Sequence, residues 1–151
     1  MVDYNYIDDT RMKALNRALE AMHFGFRAII AGPDEHLKSL GLSRVHHRIL
    51  YFIGRNSGCS ITELLRLLRV TKQYINKPLR QLTERGYVVV ARDAGDKRIK
   101  RLSLSDAGIR LEERLSGAQR AQLARVFGKA GPEAEQGWRK VMDILAKSTF
   151  H

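Results

Sequence analysis

The chain has 151 residues, 44% of them hydrophobic and 28% charged, with one cysteine and a formal net charge of +11. That length suits one domain with a core that needs no staples, so a disordered or disulfide-built protein is excluded. The longest apolar runs, Ile49–Ile53 and Tyr87–Ala91, fall far short of a membrane span; a lone thiol and no secretory apolar segment at the start point to a reducing cytoplasm.

The charge is concentrated. From Arg44 to Leu104 there are 14 Lys/Arg against 4 Asp/Glu, whereas the rest of the chain has 13 basic and 12 acidic residues. A focused basic excess attracts a polyanion, either nucleic acid or an anionic membrane surface; the alternative is a merely solvated face. The balanced ends are free to pack on each other or on a second copy.

Residues 1–9 read as polar and loosely held. From Arg11, the apolar Leu15, Leu19, Met22, Phe26 and Ile29 fall three and four apart, on one stripe of a helix. Gly32-Pro33 is expected to end that helix, and a short one over Asp34–Leu40 to follow, closed by Gly41. Ser43 is a good N-cap for a helix that carries Val45, Ile49, Leu50 and Ile53 to Asn56. After the turn at Asn56-Ser57-Gly58, Ser60-Ile61-Thr62-Glu63 reads as a capping box opening a short helix. Thr71 caps the next, with Ile75, Leu79 and Leu82 on one face, and Gly86 stops it. Tyr87–Ala91 and Arg98–Leu104 are β-rich around turn residues Asp93–Lys97, a hairpin. Ser105 then caps a long helix from Asp106 to about Lys129, and after Gly131-Pro132 a last helix bears Trp138, Val141 and Leu145.

Two short helices joined by a tight turn and followed by a hairpin make a winged helix-turn-helix. Three stretches carry a closer likeness: Ser60–Leu65, Leu82-Thr83-Glu84-Arg85-Gly86-Tyr87-Val88, and Asp96-Lys97-Arg98 followed by Leu104-Ser105-Asp106-Ala107-Gly108. With these residues the chain resembles the multiple-antibiotic-resistance regulator (MarR) family of bacterial transcription factors. The resemblance implies a mainly α fold with a small β-hairpin wing in one domain, residues 1–151. Residues 43–104 would form the DNA-binding winged helix-turn-helix, and helices over 11–31 and 106–149 would form a homodimer platform.

In such a motif the second helix enters the major groove. With its apolar residues turned inward, Lys72, Gln73, Asn76, Lys77 and Arg80 face outward. Gln and Asn suit adenine and Arg or Lys suit guanine, while Thr71 can present its hydroxyl to a phosphate. Base and phosphate contacts are not distinguishable at this level. Pro78, past the first turn of this helix, predicts a kink or widened turn near Tyr74. Lys97, Arg98 and Lys100 crowd the hairpin with Arg92 and Arg101. By resemblance, Arg98 is a minor-groove finger and Asp96 holds it or the wing; ordinary turn chemistry also explains Asp96.

The apolar stripes of the end helices serve as intramolecular core or as dimer interface. Two-fold pairing would set the reading helices about 34 Å apart on one DNA face. The resemblance further implies repression at an inverted-repeat operator and release by a small aromatic or phenolic ligand, for which His23, Phe26, Arg27, His47 and Tyr51 are candidates. The simpler expectation puts Phe26 and Tyr51 in the core and the others on the surface. A basic protein coating nucleic acid without sequence choice is the alternative function.

Adjacent His46 and His47 point about 100° apart on a helix and do not converge on a metal, nor do His23 and His36 complete a set. Cys59 reads as a buried structural thiol more readily than as a redox sensor. Phosphate loop, nucleophile elbow and paired catalytic carboxylates are all missing, so neither an enzyme nor a cofactor is expected.

Overall fold

The computed structural model describes residues 7–148; of the segment 1–9, expected to be loosely held, residues 1–6 lie outside it, as do residues 149–151, whereas Asp8 caps the first helix and Asp9 opens it. Its elements are α1 (Asp9–Ser39), α2 (Arg44–Arg55), β1 (Cys59–Ser60), α3 (Ile61–Leu68), α4 (Lys72–Glu84), β2 (Val88–Arg92), β3 (Lys100–Leu104), α5 (Asp106–Ala130) and α6 (Pro132–Lys147). The strands form one antiparallel sheet in the order β1-β3-β2. Val88 pairs with Leu104 and Val90 with Leu102 in the hairpin, while Cys59 and Ser60 pair with Leu102 and Arg101. The two-residue β1, for which no strand was expected, lies between the turn at Asn56-Ser57-Gly58 and the capped start of α3.

One expectation fails at the first helix. There is no break at Gly32-Pro33 and no separate helix over Asp34–Leu40, because α1 runs unbroken to Ser39. Pro33 lacks the N–H that would bond the Ile29 carbonyl four residues back. Gln119 of α5 replaces it, its side-chain Nε2 donating to that carbonyl at 3.1 Å. Pro33 itself is buried, so the helix keeps the packing and recovers the lost partner from a neighbour. Helix α4 likewise runs through Pro78 without interruption.

The core lies under the short helices. Leu50 and Ile53 of α2, Leu64 of α3, Ile75 and Leu82 of α4, Leu102 of β3 and Leu115 of α5 are fully or almost fully buried. Burial of each such side chain is worth roughly 1.5–3 kcal/mol. Helix ends are capped as their sequences dictate. Ser60 Oγ accepts from the Glu63 amide at 3.1 Å and Ser105 Oγ from the Gly108 amide at 3.1 Å. Ser105 also donates to the Gly86 carbonyl at 2.5 Å, tying α5 to the base of the hairpin. Gly108 is required there: a Cβ at this position would lie 2.1 Å from the Tyr87 carbonyl oxygen.

Helix α1 packs on α5, α5 on α6, and α2 on α5, so the long terminal helices form one layer and the short helices with the sheet another. No residue of α6 is buried. Among the described residues no helix is long and apolar enough to cross a membrane.

Candidate nucleic-acid interface

Helix α4 presents one polar face. Ile75, Leu79 and Leu82 turn inward, and Lys72, Gln73, Asn76, Lys77 and Arg80 are all exposed, as the period of 3.6 requires. Thr71 takes the extended N-cap conformation, but its side chain makes no capping bond and leaves the hydroxyl for another partner. Arg80 lies 4.0 Å from Glu84, a loose surface pair. Tyr74, 48% exposed on the same helix, was not singled out by the sequence pattern.

The hairpin stands beside this helix. Arg98 extends into solvent, its side chain 91% exposed, yet it is aimed: Nε and Nη2 donate to the two carboxylate oxygens of Asp96 at 3.1 and 3.2 Å. The Arg98 amide also donates to Asp96 at 3.0 Å. Those bonds, the guanidinium first, hold the Asp96 carboxyl below the usual carboxylate range.

Arg101 does something different. Its Nε donates to Asp93 at 3.0 Å, and its Nη1 lies 3.3 Å from Glu63 of α3 and 3.4 Å from the Gly58 carbonyl. It braces the hairpin against α3. Asp93 in turn accepts from the Asp96 and Gly95 amides at 2.9 and 3.0 Å, and these bonds with Arg101 depress its pKa. Arg92 donates to the Lys97 carbonyl at 2.8 Å. Of the five hairpin cations, Arg92, Arg98 and Arg101 bond to other hairpin residues, but Arg98 keeps its guanidinium in solvent and Lys97 and Lys100 are exposed beside it. Nothing in the sequence separates these roles, since both depend on where Glu63 and Asp93 end up. Lys72, Arg98 and Lys100 share the walls of a groove of about 470 Å³ that runs between the start of α3, the start of α4 and the hairpin.

A second concavity of about 280 Å³ lies between α1, α2 and α5. It contains three of the five candidates for a small-molecule site, Phe26, His47 and Tyr51. His23 and Arg27 do not line it: one lies a turn too far toward the N-terminus of α1 and the other about 100° off the facing stripe. Ile29, Ile30, Arg44, Arg48 and Gln119 complete the walls with Phe52, residues that only the meeting of three helices brings together. Phe26 and Tyr51 are 46% and 37% exposed rather than core, while His47 is buried. His47 Nε2 lies 3.0 Å from Ser116 Oγ, and burial, aided by the Arg48 charge, lowers its pKa.

His46 faces the other way. Its Nδ1 accepts from the Ser43 amide at 3.0 Å, so the proton resides on Nε2, which donates to Gln81 Oε1 of α4 at 2.8 Å. The two histidines thus diverge onto different elements, and no metal-binding cluster occurs among the described residues. Cys59 is buried, and burial together with the nearby Glu63 raises its pKa, the opposite of a reactive thiolate.

Helix-turn-helix, three-stranded sheet with an arginine-tipped hairpin, and long flanking helices together define a winged helix-turn-helix protein. The MarR family model matches residues 40–99. The HTH-type transcriptional regulator PetP of Rhodobacter capsulatus is 39% identical over 131 residues, 87% of this chain and 79% of PetP. The chain belongs to the MarR family of transcriptional regulators, which are not enzymes. Solved structures share its fold. Streptococcus pneumoniae FabT, crystallised with DNA, superposes with a TM-score of 0.78 at 18% identity, covering 88% of this chain and 95% of FabT. A MarR-family regulator from Silicibacter pomeroyi gives 0.72 at 23% identity over 99% of both chains.

Proposed function

We propose that this chain is a homodimeric, sequence-specific repressor of the bacterial cytoplasm that binds an inverted-repeat operator in double-stranded DNA and is released by a small ligand. The observation that carries the reading is the exposure of the polar face of α4 and of the hairpin cations Lys97, Arg98 and Lys100, with Lys72 at the start of α4 facing Arg98 and Lys100 across one groove. An outward α4 with Gln73, Asn76 and Arg80 offers base-edge chemistry, and Lys72, Lys77 and Lys100 supply phosphate contacts. Arg98, extended and aimed by Asp96, has the reach and charge for a minor groove. The DNA complex of FabT, a protein of the same fold, supports the assignment.

Dimerisation rests on the terminal helices. Leu19, Met22 and Phe24 of α1 and Trp138, Val141 and Ile144 of α6 are between 45% and 66% exposed. Apolar side chains left bare on two helices that both pack on α5 are what a second copy would cover. The ligand would enter the cleft between α1, α2 and α5.

The test is selection of bound duplexes from a random library by purified protein at about 150 mM salt, near physiological screening. Enrichment of an inverted repeat is the expected result. Binding without enrichment would instead make the protein a non-specific coat, and no binding would remove DNA as its partner.

A further inference from the structure

A third cavity lies directly beneath the reading helix. About 190 Å³ in volume, it is walled by Val45 and Ile49 of α2, Leu68 and Val70 around the α3–α4 turn, and Tyr74 and Ile75 of α4. An apolar void of roughly 150 Å³ stays dry and accepts a benzene ring, so this one has room for a single ring or a short branched chain. Arg48 belongs to its wall and also to the wall of the cleft between α1, α2 and α5. One side chain thus stands between two apolar chambers.

Arg48 is also the available charge. Arg44, the other arginine at the cleft, is paired with Asp34 at 3.5 Å and lies over the Phe26 ring at 5.6 Å. Arg48 is exposed and has no ion pair or hydrogen bond among the described residues. Its long flexible stem can rotate without breaking an ion pair or hydrogen bond. The two chambers differ in what they touch. No residue of α3 or α4 lines the cleft, whereas Tyr74 and Ile75 line the smaller chamber. A ligand shifts an equilibrium only through contacts that differ between the two states, and only a ligand reaching past Arg48 contacts α4.

We propose that the effector site has two lobes divided by Arg48, and that it takes a monoanion with one apolar arm on each side of its carboxylate, the charge on Arg48 and the second arm against Tyr74 and Ile75. This rests on the ligand-release reading above and specifies its ligand. Pro78 makes the touched end of α4 the pliable one. It has no N–H for the Tyr74 carbonyl, and among the described residues no side chain replaces that donor as Gln119 does for Ile29.

Diphenylacetate is the probe, with phenylacetate carrying one arm and diphenylmethanol carrying no charge. Calorimetric titration of the full-length protein without DNA should give diphenylacetate at least about tenfold tighter binding than either control, because each control loses one arm or the ion pair. Val70→Phe, which fills the smaller lobe, should bring diphenylacetate to the affinity of phenylacetate. Arg48→Ala should remove the advantage of the acid over the alcohol. Equal binding of one- and two-armed acids, no binding of either acid, or an unchanged diphenylacetate affinity in folded Val70→Phe and Leu68→Phe would each overturn the proposal. Because the titration needs no operator, its result is separate from the library selection: DNA enrichment with a failed titration leaves the regulator and removes only the two-lobed site.

Discussion

The two halves of this molecule leave opposite kinds of surface unfinished. Around the winged helix Leu50, Leu64 and Leu82 are wholly buried, and the charge left outside is predominantly cationic. Around the terminal helices the charge is balanced and what remains outside is apolar, from Leu19 to Ile144. The two surfaces suit different partners, a polyanion for the cationic one and, on the dimer proposed above, another apolar face for the other. The difference teaches that the two associations draw on separate physics and respond to separate perturbations. Salt weakens the first through counterion release, whereas apolar burial in the second is largely indifferent to it.

The sharpest way to break the comparison is to place a charge on the apolar side. Val141→Glu should convert dimer to monomer in analytical ultracentrifugation and lower DNA affinity by about 100-fold or more, since an unpaired buried charge costs several kcal/mol. If the variant remains dimeric, the α6 face is not the interface. On the cationic side, Arg98→Ala should weaken DNA binding by roughly tenfold with an unchanged melting temperature, because its bonds to Asp96 are exposed and contribute little to stability. Arg101→Ala should weaken binding less, and its loss should be accompanied by faster amide exchange in the hairpin, which Arg98→Ala would not produce. Equal exchange in the two variants would erase the distinction between finger and brace.

Two smaller effects lie at the junction of the halves. Gln119→Leu should cost about 1 kcal/mol of stability by leaving the Ile29 carbonyl unpaired, and Pro33→Ala should cancel that cost by restoring the backbone donor. Additive effects in the double variant would refute the compensation. The smallest is at His47. Burial holds its imidazole below the ordinary histidine pKa of about 6.5. Below that pH the unfolded chain takes up a proton that the folded one resists, so stability is present above about pH 6.5 and declines as pH falls further. His47→Gln should flatten the fall in melting temperature between about pH 7 and 5; a profile that matches the parent would show that another group governs it.

Much of this is legible in the sequence, and for identifiable reasons. The outward face of α4 follows from helical period alone, and the caps at Ser43, Ser60 and Ser105 from the chemistry of their side chains. What stayed hidden depends on residues distant in sequence. A Gly-Pro pair signals a helix end, and only the arrival of Gln119 from α5 overrules it. Arg98 and Arg101 are alike as letters, and Glu63 and Asp93 decide which one reaches out. Phe26 and Tyr51 sit at helical spacing that suggests core, but the packing of α1, α2 and α5 leaves their rings bordering an open cleft.

Helix α5 carries one more consequence. It begins at the base of the hairpin, anchored by Ser105 and by the close approach of Gly108 to Tyr87, and ends in the terminal-helix layer. Its 25 residues make a rod about 37 Å long. Mechanically it is a lever whose far end carries the hairpin. A tilt of about 10° about its α1 contact at Gln119, about 20 Å from the start of the helix, would displace the hairpin by about 3 Å, close to one base-pair step of B-form DNA. Angular changes too small to open the packing at one end can therefore move the arginine tip out of register at the other.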